Sequence, residues 1–162
     1  MFEGGQPAAE ERKGLTVRIR PPRSRDLARI ESLLESTGAP PLDREPHLAD
    51  FVVALDESEV VGVAGLEVFG RAGLMRALAV APAHRSRGLG RELFRSLLTR
   101  VNELGLNELY LRDGGAQAFL AKLGFELVPR NEVPFEIRES RGLRGGAQDD
   151  ESMMRFSLDD TY

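Results

Sequence analysis

Cysteine is absent from the 162-residue chain, and histidine occurs only at His47 and His84. The first absence excludes disulfides, thiolate zinc sites and a cysteine nucleophile. The scarcity of histidine excludes a histidine-rich metal centre, though not a carboxylate-based one, and no metal ligands are assigned. Lysine is almost missing too, with arginine outnumbering it 20 to 2. The net charge of -4 gives no reason to expect a nucleic-acid partner, because phosphate backbones recruit basic faces. No apolar run approaches the ~20 residues of a membrane span, and no basic start followed by an apolar centre marks a signal peptide. What is present is ordinary for a soluble globular chain: 41% hydrophobic and 30% charged residues, enough for one domain with a core and too few for two. A cytoplasmic enzyme or small-ligand binder is the expectation.

Residues Met1 to Gly14 are polar, glycine-rich and aperiodic, which predicts a loose tail ahead of a single domain over 15–160. Leu15 to Arg20 alternates and stops at Pro21-Pro22, a strand. Ser24 can cap a helix in which Leu27, Ile30, Leu33 and Leu34 recur at helical spacing until Gly38. The proline-rich stretch from Ala39 to Asp50 reads as a loop. Phe51 to Leu55, Val60 to Phe69 and Leu74 to Val80 are strand signals with short turns, an antiparallel meander. The longest helical pattern starts near Gly88, carries Leu89, Leu93, Leu97, Leu98 and Val101 on one stripe, and ends at Gly105. A strand over Asn107 to Arg112, a helix over Ala116 to Leu123 and a strand over Phe125 to Pro129 come next. Residues Asn131 to Gly146 are charged and glycine-rich, with one helical turn over the PFEIRES stretch, and Ser152 to Leu158 is the closing strand. The order β-α-β-β-β-α-β-α-β-β predicts an α/β domain: a mixed, mostly antiparallel sheet of about seven strands flanked by helices.

One junction carries chemistry. From Arg76 to Leu98 the chain reads RALAVAPAHRSRGLGRELFRSLL. A strand runs into a turn, and Arg85-Ser86-Arg87-Gly88-Leu89-Gly90 leads into a helix whose first amides are unpaired. Gly88 and Gly90 have no side chains to block a ligand, and the helix start favours an anion. Arg85, Arg87 and Arg91 add positive charge, so a pyrophosphate is the natural occupant. Neither the dinucleotide-binding G-x-G-x-x-G nor the nucleotide-hydrolase phosphate loop is present.

The strand ending LAVAP, the RSRGLG turn with its long helix, a strand ending YLRD and the segment AFLAKLGFELV together resemble the GNAT superfamily of N-acetyltransferases. The resemblance covers Leu15 to Val128 in element order and is most specific from Arg76 to Phe125. It implies the acyl-CoA N-acyltransferase fold, with acetyl-CoA as donor. The R-x-x-G-x-G turn (Arg85, Ser86, Arg87, Gly88, Leu89, Gly90, with Arg91) would hold the pyrophosphate. Backbone groups of Leu78, Ala79 and Val80 would pair with the pantetheine arm like an added strand. VVGVAGLEVFG, LMRALAV and VPRNEVPFEIRES, with the late SMMRFSL strand, are similar to arsenic-resistance-associated N-acetyltransferases and to the acetyltransferase domain of glutamate N-acetylating enzymes. The first group often carries Cys-Pro before the last strand, where this chain has Asp149-Asp150-Glu151. Many superfamily members use the tyrosine of a FYxKLGF helix end as proton donor, and here that position is Leu120. Asp113 stands where many relatives have an asparagine.

Acetyl transfer needs a held thioester, a neutral amine and an exit for the thiolate. A backbone N–H near Val80 can polarise the thioester carbonyl. Glu67, at the end of an apolar strand, is the candidate catalytic base, with ordered water as its alternative. His84 has a suitable intrinsic pKa but is expected to face solvent or the cofactor phosphates. Arg76 interrupts an apolar strand, and counting by twos puts it with Leu78 and Val80 opposite Met75, Ala77 and Ala79. Its partner is either Glu67 or an acceptor carboxylate. His47, in the Leu42 to His47 loop, is a second candidate acceptor contact. Arg95 and Arg100 read as a solvated helix face; Phe119, Leu123 and Phe125 read as core packing. The expected activity is acetylation of the primary amine of a small amino-acid-like acceptor. A protein or peptide amine, or acyl-CoA binding without catalysis, are the alternatives. A homodimer is compatible with the sequence.

Overall fold

The computed structural model describes residues 17–37, 48–112, 116–140 and 152–158. The expectations placed on 1–14, His47, Asp113, 142–146 and 149–151 lie outside the described residues.

Strand β1 (Val17–Arg20) ends at the two prolines, and a 3-10 turn at Ser24–Asp26 opens helix α1 (Leu27–Thr37). The cap expected of Ser24 falls instead to Asp26. Its buried carboxylate accepts from the Arg23 backbone N–H at 2.7 Å and from Arg20 Nη1 at 2.9 Å. The hydrogen bond from Arg20 holds the Asp26 carboxyl below its ordinary range against the opposing pull of burial. The meander is built of β2 (Phe51–Asp56), β3 (Glu59–Phe69) and β4 (Ala72–Val80). Helix α2 (Leu89–Leu104) stops at Gly105, whose φ of 72° suits a residue without a side chain. Then come β5 (Glu108–Arg112), α3 (Gln117–Leu123), β6 (Glu126–Val128), the single turn α4 (Phe135–Arg138) and β7 (Met153–Ser157).

The sheet has seven strands in the order β1-β2-β3-β4-β5-β7-β6. All neighbours are antiparallel except β4 and β5. The predicted mixed, mostly antiparallel architecture is therefore the observed one. Helix α2 lays Leu93, Phe94, Leu97 and Val101 on one face, against Val52, Ala54, Ala64, Leu66 and Met75. Burying Leu93 or Leu97 completely is worth roughly 1.5–3 kcal/mol each relative to exposure. On the opposite face α1 packs Ile30, Leu33 and Leu34 on Phe51, Val53, Val63, Ala77 and Ala79. Beside it, Ile137 of α4 joins Val133, Leu74, Tyr110, Val128 and Met153.

Two irregularities in β4 interrupt the regular sheet. First, the β3–β4 ladder pairs Gly65 with Ala77 and Leu66 with Met75, so Arg76 is passed over as the extra residue of a bulge. The bulge breaks the count by twos: Met75 lies in the α2 layer with Leu78 and Val80, while Ala77 and Ala79 lie in the α1 layer. Second, β4 and β5 pair only from Ala72↔Glu108 to Leu74↔Tyr110, although β4 continues to Val80. Beyond Leu74 the two strands part.

Tyr110 closes the paired end of that opening. It is 1% exposed and donates its hydroxyl to Glu108 Oε1 at 2.7 Å. Burial, reinforced by the Glu108 carboxylate, pushes its pKa from 10.0 up to about 12. The neutral phenol thus contributes stability that is complete below pH 10 and is lost as pH rises towards about 12. In urea unfolding across that window, wild type should lose stability that Tyr110→Phe does not lose. Parallel alkaline profiles for the two proteins would contradict this role.

Candidate functional site

The parting of β4 from β5 leaves a wedge whose β4 wall carries directed backbone groups. Ala81 N–H donates to Val61 O at 2.8 Å, on the β3 side. Arg85 Nε reaches Val80 O at 2.8 Å from outside that ladder. Since backbone groups alternate sides along a strand, the amides of Val80 and Leu78 point away from β3, into the wedge. The side chains of Leu78 and Val80 are half-buried against the α2 layer. Ala79 pairs across the ladder with Val63 and turns its methyl towards α1.

At the open end of the wedge stands the arginine–glycine turn. The chain leaves β4, makes a 3-10 turn at Pro82–His84 and enters α2 with Gly88 as N-cap. Ser86 and Gly88 both adopt left-handed backbone, at φ 66° and 81°. The first amides of α2 that follow have no partners within the helix and are available to a ligand. Arg85, Ser86, Arg87 and Arg91 are exposed, whereas the Leu89 side chain is buried in the core and offers only its backbone. The result is a positively charged helix start that suits a phosphate group.

His84 faces neither solvent nor the turn. Its Nε2 lies 2.9 Å from Asp56 Oδ2 at the end of β2, with the His84 side chain 16% exposed. This contact and Arg85–Val80 brace the base of the turn against the meander. Nothing in the sequence links residues so far apart, so the pair was not legible there. Arg100 also departs from expectation: it is tied to buried Asp50 at 2.9 Å and to Glu103 at 3.5 Å, not simply solvated.

Glu67 and Arg76 come together. Arg76 Nη1 donates to Glu67 Oε1 at 3.1 Å, with the arginine side chain 11% exposed and the carboxylate 37%. Glu67 is the ladder partner of Leu74 and therefore shares the α1/α4 face of the sheet with it. The two charges thus flank the point where the wedge begins, on the face opposite α2. Leu120 is 2% exposed and sits in the α2 layer with Phe125; Leu123 packs against its edge. Phe119, expected in the core, is instead 39% exposed beside Gly90.

The brace at His84 yields an expectation. His84→Ala removes one part-buried hydrogen bond to a carboxylate and should cost about 1–3 kcal/mol in urea unfolding at neutral pH. His84→Gln, which retains a donor, should recover part of it. An unchanged midpoint for His84→Ala would show that the contact does not hold the turn.

Against known proteins, a family model described as Acetyltransferase (GNAT) domain matches residues 47–127. No curated protein matches the chain significantly. Among solved structures, N-acetylglutamate synthase from Neisseria gonorrhoeae, complexed with coenzyme A and N-acetyl-glutamate, superposes with a TM-score of 0.75 at 24% identity. That match covers 88% of this chain and 35% of the synthase chain, so the protein spans about a third of that relative. Rv2747 from Mycobacterium tuberculosis, in complex with CoA and NLQ, gives 0.72 at 22% identity, over 86% of this chain and 98% of its own. The ribosomal-protein alanine N-acetyltransferase from Escherichia coli gives 0.62 at 20%, over 88% and 94%. At these identities the likeness is one of fold.

Proposed function

Because the chain belongs to the GNAT family of acetyltransferases, we propose that its wedge joins acetyl-CoA to the primary amine of a small amino-acid-like acceptor. The observation that carries this reading is a phosphate-suited turn set directly at the mouth of a parted pair of strands. The Arg85–Gly90 backbone and the arginines at 85, 87 and 91 would hold the pyrophosphate. The wedge amides of Leu78 and Val80 would take the pantetheine arm as an extra strand. Relatives solved with coenzyme A support the choice of donor.

The acceptor would approach from the α1/α4 face. Glu67, more exposed than its partner, takes a proton from the ammonium form, directly or through water. The neutral nitrogen then attacks the thioester carbon, a C–N bond forms and the C–S bond breaks. The Val80 N–H lies on the wedge side, where it can offset charge developing on the carbonyl oxygen. Coenzyme A departs as a thiolate, and the second proton, shed by the nitrogen as the amide forms, passes to it through solvent, since Leu120 supplies no hydroxyl. Arg76 offers a planar fork to an acceptor carboxylate, at the expense of its bond to Glu67.

A screen of acetyl-CoA consumption against amino acids and their analogues, including arsenic- and phosphorus-bearing ones, tests the acceptor class. The similarity of the meander strands and the PFEIRES stretch to the arsenic-associated and glutamate-acetylating branches motivates that panel. Consumption with peptides alone would instead favour a protein acceptor, the reading that the ribosomal-protein relative supports. Binding of coenzyme A without turnover on any amine would favour a non-catalytic module.

Two variant sets test the residues. At Gly88, where φ is 81°, valine is strained and fills the approach to the turn. Gly88→Val should abolish coenzyme A binding in calorimetry while thermal denaturation still shows a folded protein; retained affinity would remove the pyrophosphate assignment. Glu67→Gln should lower kcat far more than it raises KM, with partial recovery at higher pH as the amine deprotonates itself. Arg76→Lys should chiefly raise KM for a carboxylate-bearing acceptor. If both variants lose stability alike and keep wild-type kinetic constants, the pair is structural and another base operates.

A further inference from the structure

Arg155 stands on β7, the strand between β5 and β6. Its ladder partners are Tyr110 on one side and Glu126 on the other, so the three side chains form a row on one face of the sheet. That face is the one covered by α4, since Tyr110 packs there with Leu74, Met153 and Ile137. The arginine side chain is 23% exposed. Its Nη2 lies 3.5 Å from Glu126 Oε2, and its Nη1 lies 3.4 Å from Glu132 Oε1, in the 3-10 turn Arg130–Glu132 that follows β6. On its other side the guanidinium stands beside the Tyr110 phenol and partly counters the burial that raises its pKa. That phenol in turn donates to Glu108 Oε1 on β5. One side chain thus stitches β5, β7, β6 and the turn leading to α4.

The side chains of Glu126 and Glu132 are 66% and 54% exposed, and ion pairs so exposed add little stability. The place of the network distinguishes it. Its inner end, Tyr110, is the ladder partner of Leu74 at the last rung on which β4 and β5 pair. We propose that Arg155 is a positioning residue for the donor: through Tyr110 it fixes the rung at which β5 leaves β4, and with it the width of the wedge. The inference rests on the acetyl-CoA reading and adds to it a residue acting from one strand away. Neighbouring strands lie about 4.8 Å apart, so an arm seated as an extra strand needs roughly twice that distance between β4 and β5. If β5 drifts, the arm loses its fit on one side. A wedge held at the right width before the donor arrives avoids that ordering cost. The nucleotide end, gripped by the Arg85–Gly90 turn at the end of β4, does not depend on where β5 lies.

Calorimetric titration of the full chain with two probes tests this. One probe is coenzyme A; the other is 3′-phospho-ADP, its nucleotide portion without the arm. Arg155→Met should raise the Kd for coenzyme A about fivefold and leave the Kd for the nucleotide unchanged. Arg155→Lys keeps a cation beside Tyr110 but cannot fork onto both carboxylates. It should lose about twofold, and it serves as the test should the methionine variant fail to fold in thermal denaturation. Tyr110→Phe removes the hydroxyl through which the arginine acts. Combined with Arg155→Met, it should weaken coenzyme A binding no further than Arg155→Met alone. Unchanged affinity for coenzyme A in a folded Arg155 variant overturns the inference. An equal loss for both probes also overturns it, because the network would then support the whole domain and not the wedge. Additive losses in the double variant overturn the route through Tyr110. A wild-type protein that binds neither probe removes the donor reading itself, and the inference with it.

Discussion

The parting of β4 from β5 beyond the Leu74–Tyr110 pair is the constraint on which the rest of the structure depends. A strand inside a sheet ordinarily satisfies its backbone groups on both sides, and exposing them within a fold is costly. Here β4 keeps its ladder with β3 to Val80, while its other edge loses its neighbour. Tyr110, buried and hydrogen-bonded to Glu108, sits at the last paired position, and the Arg76 bulge bends β4 just beyond it. On the proposed reading, an extended donor supplies the missing partner, and the unsatisfied edge is what makes the sheet a binding site.

The two faces of the sheet then divide the chemistry. The end of β4 and the start of α2 concentrate positive charge and directed amides, which suit the polyanionic end of a donor. The opposite face holds the Glu67–Arg76 pair where the strands begin to diverge. An ion pair of this kind is weak evidence for stability on its own, since each group is partly removed from water. Its position gives it a role on the proposed reading: it sets a carboxylate and a guanidinium beside the point where an acceptor would meet a thioester held between the strands. On that reading the bond between them would also set a trade-off, because an acceptor carboxylate that recruits Arg76 would release Glu67 to work as a base.

The fold was largely legible from local pattern. Period-two alternation, turn residues and the apolar stripe from Leu89 to Val101 located every strand of the described sheet and its main helices. The arginine–glycine turn was legible for the same reason, because its chemistry lies in consecutive residues. What escaped the sequence is non-local. The bulge at Arg76 is a property of the β3–β4 register, and it moved Met75 to the layer of Leu78 and Val80. Asp56 meets His84, and Asp50 meets Arg100, only because the sheet and α2 bring distant segments together. Phe119 and Leu120 are both apolar at adjacent positions of a short helix. Composition alone could not say which of them turns inward.

The central claim is that the wedge edge of β4 and the first turn of α2 form one continuous donor site. Amide hydrogen exchange resolved by NMR, with and without saturating coenzyme A, tests it most directly. The account predicts that coenzyme A slows exchange at Leu78 and Val80 together with Leu89, Gly90 and Arg91, while Ala77 and Ala79, already facing β3, change little. Slowed exchange at the α2 amides alone, with Leu78 and Val80 unaltered, would contradict the continuous site.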